Sequence, residues 1–228
     1  MVAAQIDAIA EDLKPAAWKT GMLANAEIID VVVARLRHHR AQNLVVDPVM
    51  LAKSGDRLLD MEAVSTLLQR LLPMALVMTP NLPEAAALTG RSVATREEAR
   101  QAARDLAALG PRLVVVKGGH AESDPVVDVV YDGIARDWFE LSAPRVPGTS
   151  THGTGCTFSA AIAANLARGA EPVSAVRQAR DYLQATLRWA PGLGAGHGPL
   201  GHLGPPGDAP ITHVLTYPGP PAGRVDDQ

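Results

Sequence analysis

Apolar positions along this chain change period several times, and the changes mark out its elements. Val2, Ile6, Ile9 and Leu13 recur at helical spacing. No residue ahead of them can cap that helix, so the chain reads as beginning inside an element. Residues 17–20 read as a short strand, and Ala26–His38 as a helix with Ile28, Ile29, Val32, Val33 and Leu36 on one broad face. The pattern then predicts a buried strand over 43–47, a helix over 61–72, a strand over 75–79 and a short helix over 83–88. A longer helix over 95–109 starts at a Thr95 cap, and 113–117 is a strand again. Residues 126–131 and 134–141 read as a hairpin turning at Asp132-Gly133, because Asp-Gly supplies the positive φ of a tight turn. Two helices close the pattern: Thr154–Ala167, with Arg168 in its last turn and Gly169 as its stop, and 172–189. Strand–helix alternation of this kind predicts an α/β fold, a mainly parallel sheet covered by helices with an antiparallel edge from the hairpin. No internal repeat interrupts it.

Composition narrows the chemistry. At 228 residues and 47% hydrophobic, the chain can bury one substantial core, so one domain is the expectation, with room for a small second lobe. From Pro191 onward, 17 of 38 residues are Gly or Pro, which favours turns and predicts a loose C-terminal tail. The formal net charge is −3 and no dense Lys/Arg run with interleaved aromatics occurs, which argues against nucleic acid as a partner. The single cysteine can form no internal disulfide and no thiolate cluster, as suits a reducing compartment. No apolar run reaches membrane-spanning length, and Asp7, Glu11 and Asp12 stand where a secretory segment is apolar. The expectation is a cytoplasmic protein with no membrane partner.

In such folds ligands gather where strands end and helices begin, which gives weight to four segments. The turn His152-Gly153-Thr154-Gly155-Cys156-Thr157 opens a helix of small residues. Free N–H groups and the helix dipole make such a start an anion site, although its glycines can equally serve turn geometry and Cys156 can be a small buried apolar residue. Asp47 follows a strand and either holds a metal or its waters, or caps a turn before Pro48. Asn81 and Glu84 sit three residues apart at a helix start. They can organise Mg²⁺ through water, or act as N-cap and capping-box partner, the reading that the spacing alone favours. Lys117, before Gly118-Gly119-His120, suits a polyphosphate, or is a solvated lysine before a glycine turn. Residues 194–199 resemble a phosphate loop weakly, since no strand leads into them. His38, His39, His197, His202 and His213 lack metal-ligand spacing and read as solvated side chains.

In order, Lys19-Thr20-Gly21-Met22-Leu23, Asp47 to Gly55, Thr79-Pro80-Asn81-Leu82-Pro83-Glu84-Ala85, Lys117-Gly118-Gly119-His120 and Thr151 to Thr157 resemble the hydroxymethylpyrimidine and phosphomethylpyrimidine kinases of thiamine biosynthesis. These belong to the ribokinase-like superfamily, and the likeness runs from about Val2 to Gly198. It implies a three-layer αβα sandwich over 1–198, followed by a Gly/Pro-rich tail at 199–228. It also implies ATP and Mg²⁺ as cofactors, a pyrimidine substrate and a homodimer. The implied reaction moves the ATP γ-phosphoryl group to the hydroxymethyl of 4-amino-5-hydroxymethyl-2-methylpyrimidine, then a second one to the resulting phosphate. By the same likeness, Gly153, Thr154 and Gly155 form the anion hole, and Cys156 is the base that accepts the hydroxyl proton. Glu84 and Asn81 organise Mg²⁺, Lys117 neutralises the phosphates, and Asp47 contributes there. Gly21, Met22 and Val49 lie near the pyrimidine.

One departure stands out. Members of the family begin further upstream, with a strand, a glycine-rich Asp-containing loop and a polar pyrimidine-binding residue. The expectation is therefore an N-terminally truncated kinase with an intact nucleotide half, an incomplete pyrimidine half and an exposed sheet edge or gap. Three other functions compete. A kinase of a related alcohol such as pyridoxal shares fold and chemistry, but Cys156 and the segment from Asp47 to Gly55 favour the pyrimidine branch. A hydrolase would use Cys156 as nucleophile with His120 or His152 as base. A truncated domain could bind nucleotide and turn over nothing.

Overall fold

The computed structural model describes residues 1–50, 59–120, 124–204 and 213–216. Residues 51–55 of the second motif lie outside them, as does most of the segment 205–228. In chain order the elements are α1 (Val2–Leu13), β1 (Trp18–Thr20), α2 (Ala26–His38), β2 (Leu44–Val46), α3 (Met61–Thr66), β3 (Val77–Met78), α4 (Leu82–Thr89) and α5 (Arg96–Ala107). There follow β4 (Leu113–Val116), β5 (Val126–Asp132), β6 (Asp137–Ala143), α6 (Thr154–Ala167), α7 (Pro172–Arg188) and β7 (His213–Thr216).

The seven strands form one sheet in their sequence order. β1 to β4 are parallel, with Thr20 opposite Val46 and Met78 opposite Val114. β5, β6 and β7 add antiparallel to β4 and to one another. Each parallel crossover steps one strand in the same direction, so the right-handed rule puts its helices on one face. The cores agree. Ile29 and Val33 of α2, Ala85 of α4 and Leu106 of α5 pack with Leu44, Val46, Met78 and Val114 on one side. Phe158 and Ile162 of α6 and Ala175 and Ala179 of α7 pack with Val45, Val77, Val115 and Val130 on the other. Because strand side chains alternate, Leu44 and Val46 belong to one core and Val45 to the other. The expected αβα sandwich is the observed architecture, with β1 at one edge of the sheet.

Several boundaries differ from the sequence pattern for local reasons. The hairpin does not turn in two residues at Asp132-Gly133. β5 runs through Asp132, β6 begins at Asp137, and Ile134 is 73% exposed in the loop. Asp132 Oδ1 accepts the N–H groups of Ile134 and Ala135, and the positive φ falls on Arg136 at 55°. The side chain of Asp132 builds the turn in place of its glycine neighbour. The helix expected over 61–72 is α-helical only to Thr66, widens into a π turn over Leu67–Leu71 and tightens to a 3-10 turn over Leu72–Met74. Pro73 has no N–H to continue the ladder. In α1 the inward stripe is Val2, Ile6 and Ala10, while Ile9 and Leu13 are exposed. His39 is not a solvated side chain: its Nε2 lies 2.6 Å from Asp7 Oδ1, which joins α2 to α1. Residues expected to form a loose tail contribute buried Leu200 and the strand β7.

Candidate active site

The C-terminal ends of the parallel strands bring together most of the residues singled out in the sequence. Asp47, one residue past β2, is 1% exposed and lies at the centre. Its Oδ1 accepts from Lys117 Nζ at 3.0 Å and from Thr79 Oγ1 at 3.2 Å, and its Oδ2 accepts from Ser159 Oγ at 3.1 Å. Lys19 Nζ stands 4.0 Å from Oδ2, so two ammonium groups share one buried carboxylate. Burying a carboxylate in this way requires such partners. Three of them, Lys19, Thr79 and Ser159, had no assigned role in the sequence. Lys19 and Thr79 lie inside quoted motifs, but nothing in the small-residue run signals that Ser159 meets a residue 112 positions away.

Asn81 and Glu84 form a complete capping box on α4. Asn81 Oδ1 accepts the Glu84 N–H at 2.8 Å, and Glu84 Oε2 accepts the Asn81 N–H at 2.7 Å. The structural reading of this pair therefore holds. A second role is not displaced by it, because Glu84 is 3% exposed and electrostatically coupled to both Lys117 and Asp47. Burial pushes its carboxyl up to about 7, with the nearby Lys117 ammonium and the Asn81 N–H opposing the rise. Asn81 also bridges to Lys117 in parallel register, which ties the start of α4 to the end of β4.

α6 reaches the same place from the other face. α2, α3, α4 and α5 each start from a side-chain cap, whereas α6 starts from Gly153 in the left-handed region at φ 81°. With no side-chain cap, its first N–H groups are left for an outside acceptor. A Cβ placed on Gly155 would lie 3.2 Å from Lys117 Nζ and 3.9 Å from Asp47 Oδ2, so the first turn rests directly on the ion pair. Cys156 is free and exposed in that turn. It stands at one end of a groove of about 600 Å³ that follows α6 to Arg168 and is walled by Tyr182 and His202. Thr154 Oγ1 donates to the Thr151 carbonyl at 3.3 Å, which closes the turn.

Gly21 and Met22 leave β1 and Val49 leaves β2, and the Thr20–Val46 pairing sets the two exits side by side. Met22 is 56% exposed, and Gly21 lies against Lys19 Nζ. Among the described residues no hydrogen bond joins Cys156 to His152, whose backbone N–H instead donates to the Gly198 carbonyl. His197 and His202 are exposed, as expected of solvated side chains, and pair at the surface with Thr151 and Tyr182.

A three-layer αβα sandwich with an ion pair, a helix capped by the Asn81–Glu84 box and an uncapped glycine turn at its strand ends defines a ribokinase-like kinase. Staphylococcus aureus pyridoxal kinase, solved with ADP, has the same fold at a TM-score of 0.86 and 32% identity, over 94% of this chain and 77% of that one. The model of the phosphomethylpyrimidine kinase family matches residues 1–201, and the chain belongs to that family, whose members are transferases. It is 46% identical over 202 residues to the Geobacter sulfurreducens thiamine biosynthesis bifunctional protein ThiED, covering 89% of this chain and 41% of that protein. It is 45% identical over 204 residues to the hydroxymethylpyrimidine/phosphomethylpyrimidine kinase of Haemophilus influenzae, covering 88% of this chain and 76% of that one. The chain thus spans less than half of the bifunctional relative and about three quarters of the kinase. These relatives favour a kinase of thiamine biosynthesis over a pyridoxal kinase.

Proposed function

We propose that this chain binds ATP at the strand-end site and transfers its γ-phosphoryl group to the hydroxymethyl of 4-amino-5-hydroxymethyl-2-methylpyrimidine, then to the resulting monophosphate. The observation that carries this reading is the seat of the α6 first turn on the Lys117–Asp47 pair, with Cys156 exposed beside it. A polyphosphate here meets a lysine and uncapped backbone N–H groups, which stabilise charge on the group in flight. Gly153, Thr154 and Gly155 supply those N–H groups, and Lys117 supplies the cation. In the first transfer Cys156 accepts the proton that leaves the substrate hydroxyl. The second acceptor is already an anion and has no proton to lose at that step. Gly21, Met22 and Val49 offer backbone and apolar contact to the ring.

Mg²⁺ fits the donor set. Asp47 and Glu84 are hard oxygen donors, and their existing hydrogen bonds leave lone pairs for waters of a hydrated cation while the capping box stays intact. Bound there, Mg²⁺ would offset phosphate charge, with Glu84, Asn81 and Asp47 holding its waters. The same reading takes the protein as cytoplasmic and as a homodimer, and sedimentation of the purified chain checks the dimer.

Coupled ADP release, assayed with the pyrimidine, its monophosphate and pyridoxal in parallel, tests the proposal. Pyrimidine-dependent release is the expected result. Cys156→Ala slows the first transfer by roughly 10²-fold or more, the usual weight of a positioned proton acceptor, and the second far less. Equal losses in both steps would remove the proton-accepting role. ATP binding without pyrimidine-dependent release would instead support a non-catalytic nucleotide-binding domain.

A further inference from the structure

Behind the strand-end site lies a buried polar cluster that the phosphoryl chemistry does not use. Asp128 of β5 accepts the Gly118 N–H through Oδ1 at 2.8 Å, and its Oδ2 lies 2.8 Å from Arg180 Nε of α7. The Nε proton is not aimed at the carboxylate, so that contact is an ion pair and not a directed hydrogen bond. Arg180 donates through its NH1 group to Gln184 Oε1 at 3.0 Å, and Gln184 Nε2 donates to the Pro144 carbonyl at 2.6 Å. Asp128, Arg180 and Gln184 are 5%, 3% and 1% exposed. Desolvation offsets much of what such an ion pair gains, so stability alone is a weak reason for it.

Its geometry suggests a stronger reason. Arg180 and Gln184, one turn apart on α7, reach two separate segments that each run into the candidate site. One is the turn that follows Lys117, gripped through Asp128. The other is the stretch from Pro144 to Gly153 that leads into the α6 glycine turn. The Gly118 backbone is seated so closely that a Cβ there would lie 1.9 Å from the Val127 carbonyl oxygen. We infer that Asp128, Arg180 and Gln184 are positioning residues that hold the Lys117 turn and the 144–153 segment in register as two walls of one polyphosphate site. The identity of that ligand rests on the kinase reading above.

Hydrogen–deuterium exchange on the 228-residue chain tests the positioning directly, and ADP titration by calorimetry tests its consequence. Asp128→Ala/Arg180→Met removes both charges together and leaves no lone buried ion. Exchange at 117–120 then rises about tenfold, as expected for losing a hydrogen bond to a charged group, while α2 and α5 keep their protection. ADP binds about tenfold more weakly for the same reason, with the melting temperature within a few degrees of wild type. Asp128→Asn/Arg180→Met keeps an acceptor for the Gly118 N–H and restores both protection and affinity. Gln184→Met loosens 145–153 alone.

Unchanged exchange at 117–120 in the alanine double variant, or no rescue by the asparagine one, overturns the inference. If the alanine double variant does not fold, Gln184→Met decides by whether 145–153 loosens. A wild-type chain that binds no ADP overturns the kinase reading instead, and exchange still decides whether the cluster positions the two segments.

Discussion

Burial holds the Glu84 carboxyl at about 7, well above its ordinary value of 4.5, and this ties the stability of the whole chain to one side chain. Between those two values the folded chain keeps a proton on Glu84 that the unfolded chain releases. Stability therefore falls as pH rises from 4.5 to about 7, by roughly 3 kcal/mol at most, and levels off above that. Glu84→Gln keeps an acceptor for the capping box but cannot titrate. Denaturant unfolding between about pH 5 and about pH 8 should show wild type losing stability relative to this variant, and parallel curves would contradict the assignment. A second prediction concerns Gly118, where the Val127 backbone fills the space a methyl group would need. Gly118→Ala should lower stability by about 1–3 kcal/mol, as overpacking does, and should weaken ADP binding by moving Lys117. Calorimetric melting and ADP titration measure the two effects. At this scale the sequence displayed the residue types at the strand ends. It could not show that Asp47 is where Lys19, Thr79, Lys117 and Ser159 meet, because those four approach from three strands and a helix of the opposite layer.

Helices were the most legible elements, since their signals are local. α2 has the bounds its apolar period predicts, and α5 starts at the expected cap, where Thr95 Oγ1 accepts the Glu98 N–H at 3.2 Å and Glu98 accepts in return. Thr95→Ala should cost about 1 kcal/mol, read as a shift in urea midpoint with an unchanged m-value. Those reciprocal bonds from the Ala94 and Thr95 N–H groups also hold the Glu98 carboxyl below its usual range. That part of the cap is present above the ordinary carboxylate range and is lost as pH falls through the depressed value. The hairpin was less legible. An Asp-Gly pair announces a two-residue turn, but the register of β5 against β6 runs on to the Asp132–Asp137 pair, which forces a longer loop. Strand β7 carried no readable signal amid Gly and Pro. It exists because β6 offers it an unpaired edge.

Two apolar cores on opposite faces of one sheet make the whole molecule a test of additivity. Ile29 on the α2 side and Ile162 on the α6 side are both fully buried and belong to separate clusters. Ile29→Val and Ile162→Val should each cost about 0.5–1.5 kcal/mol. The double variant should equal their sum to within about 0.5 kcal/mol, in a single unfolding transition. A second transition, or a marked excess over the sum, would show that the two layers unfold separately or are coupled through the sheet. Both layers meet at the strand ends, where α6 brings the uncapped glycine turn from one face and α4 brings the capping box from the other. By itself the sequence determined most of the helices, the strand–helix alternation, the family and the residue types gathered at the strand ends, because period, caps and motifs are written in neighbouring residues. Tertiary structure alone decided that two lysines share Asp47, that Glu84 is buried enough to hold its proton near neutrality, and that α7 grips both segments of the site. Those properties depend on desolvation and on distances between residues far apart in the chain, which no local pattern encodes.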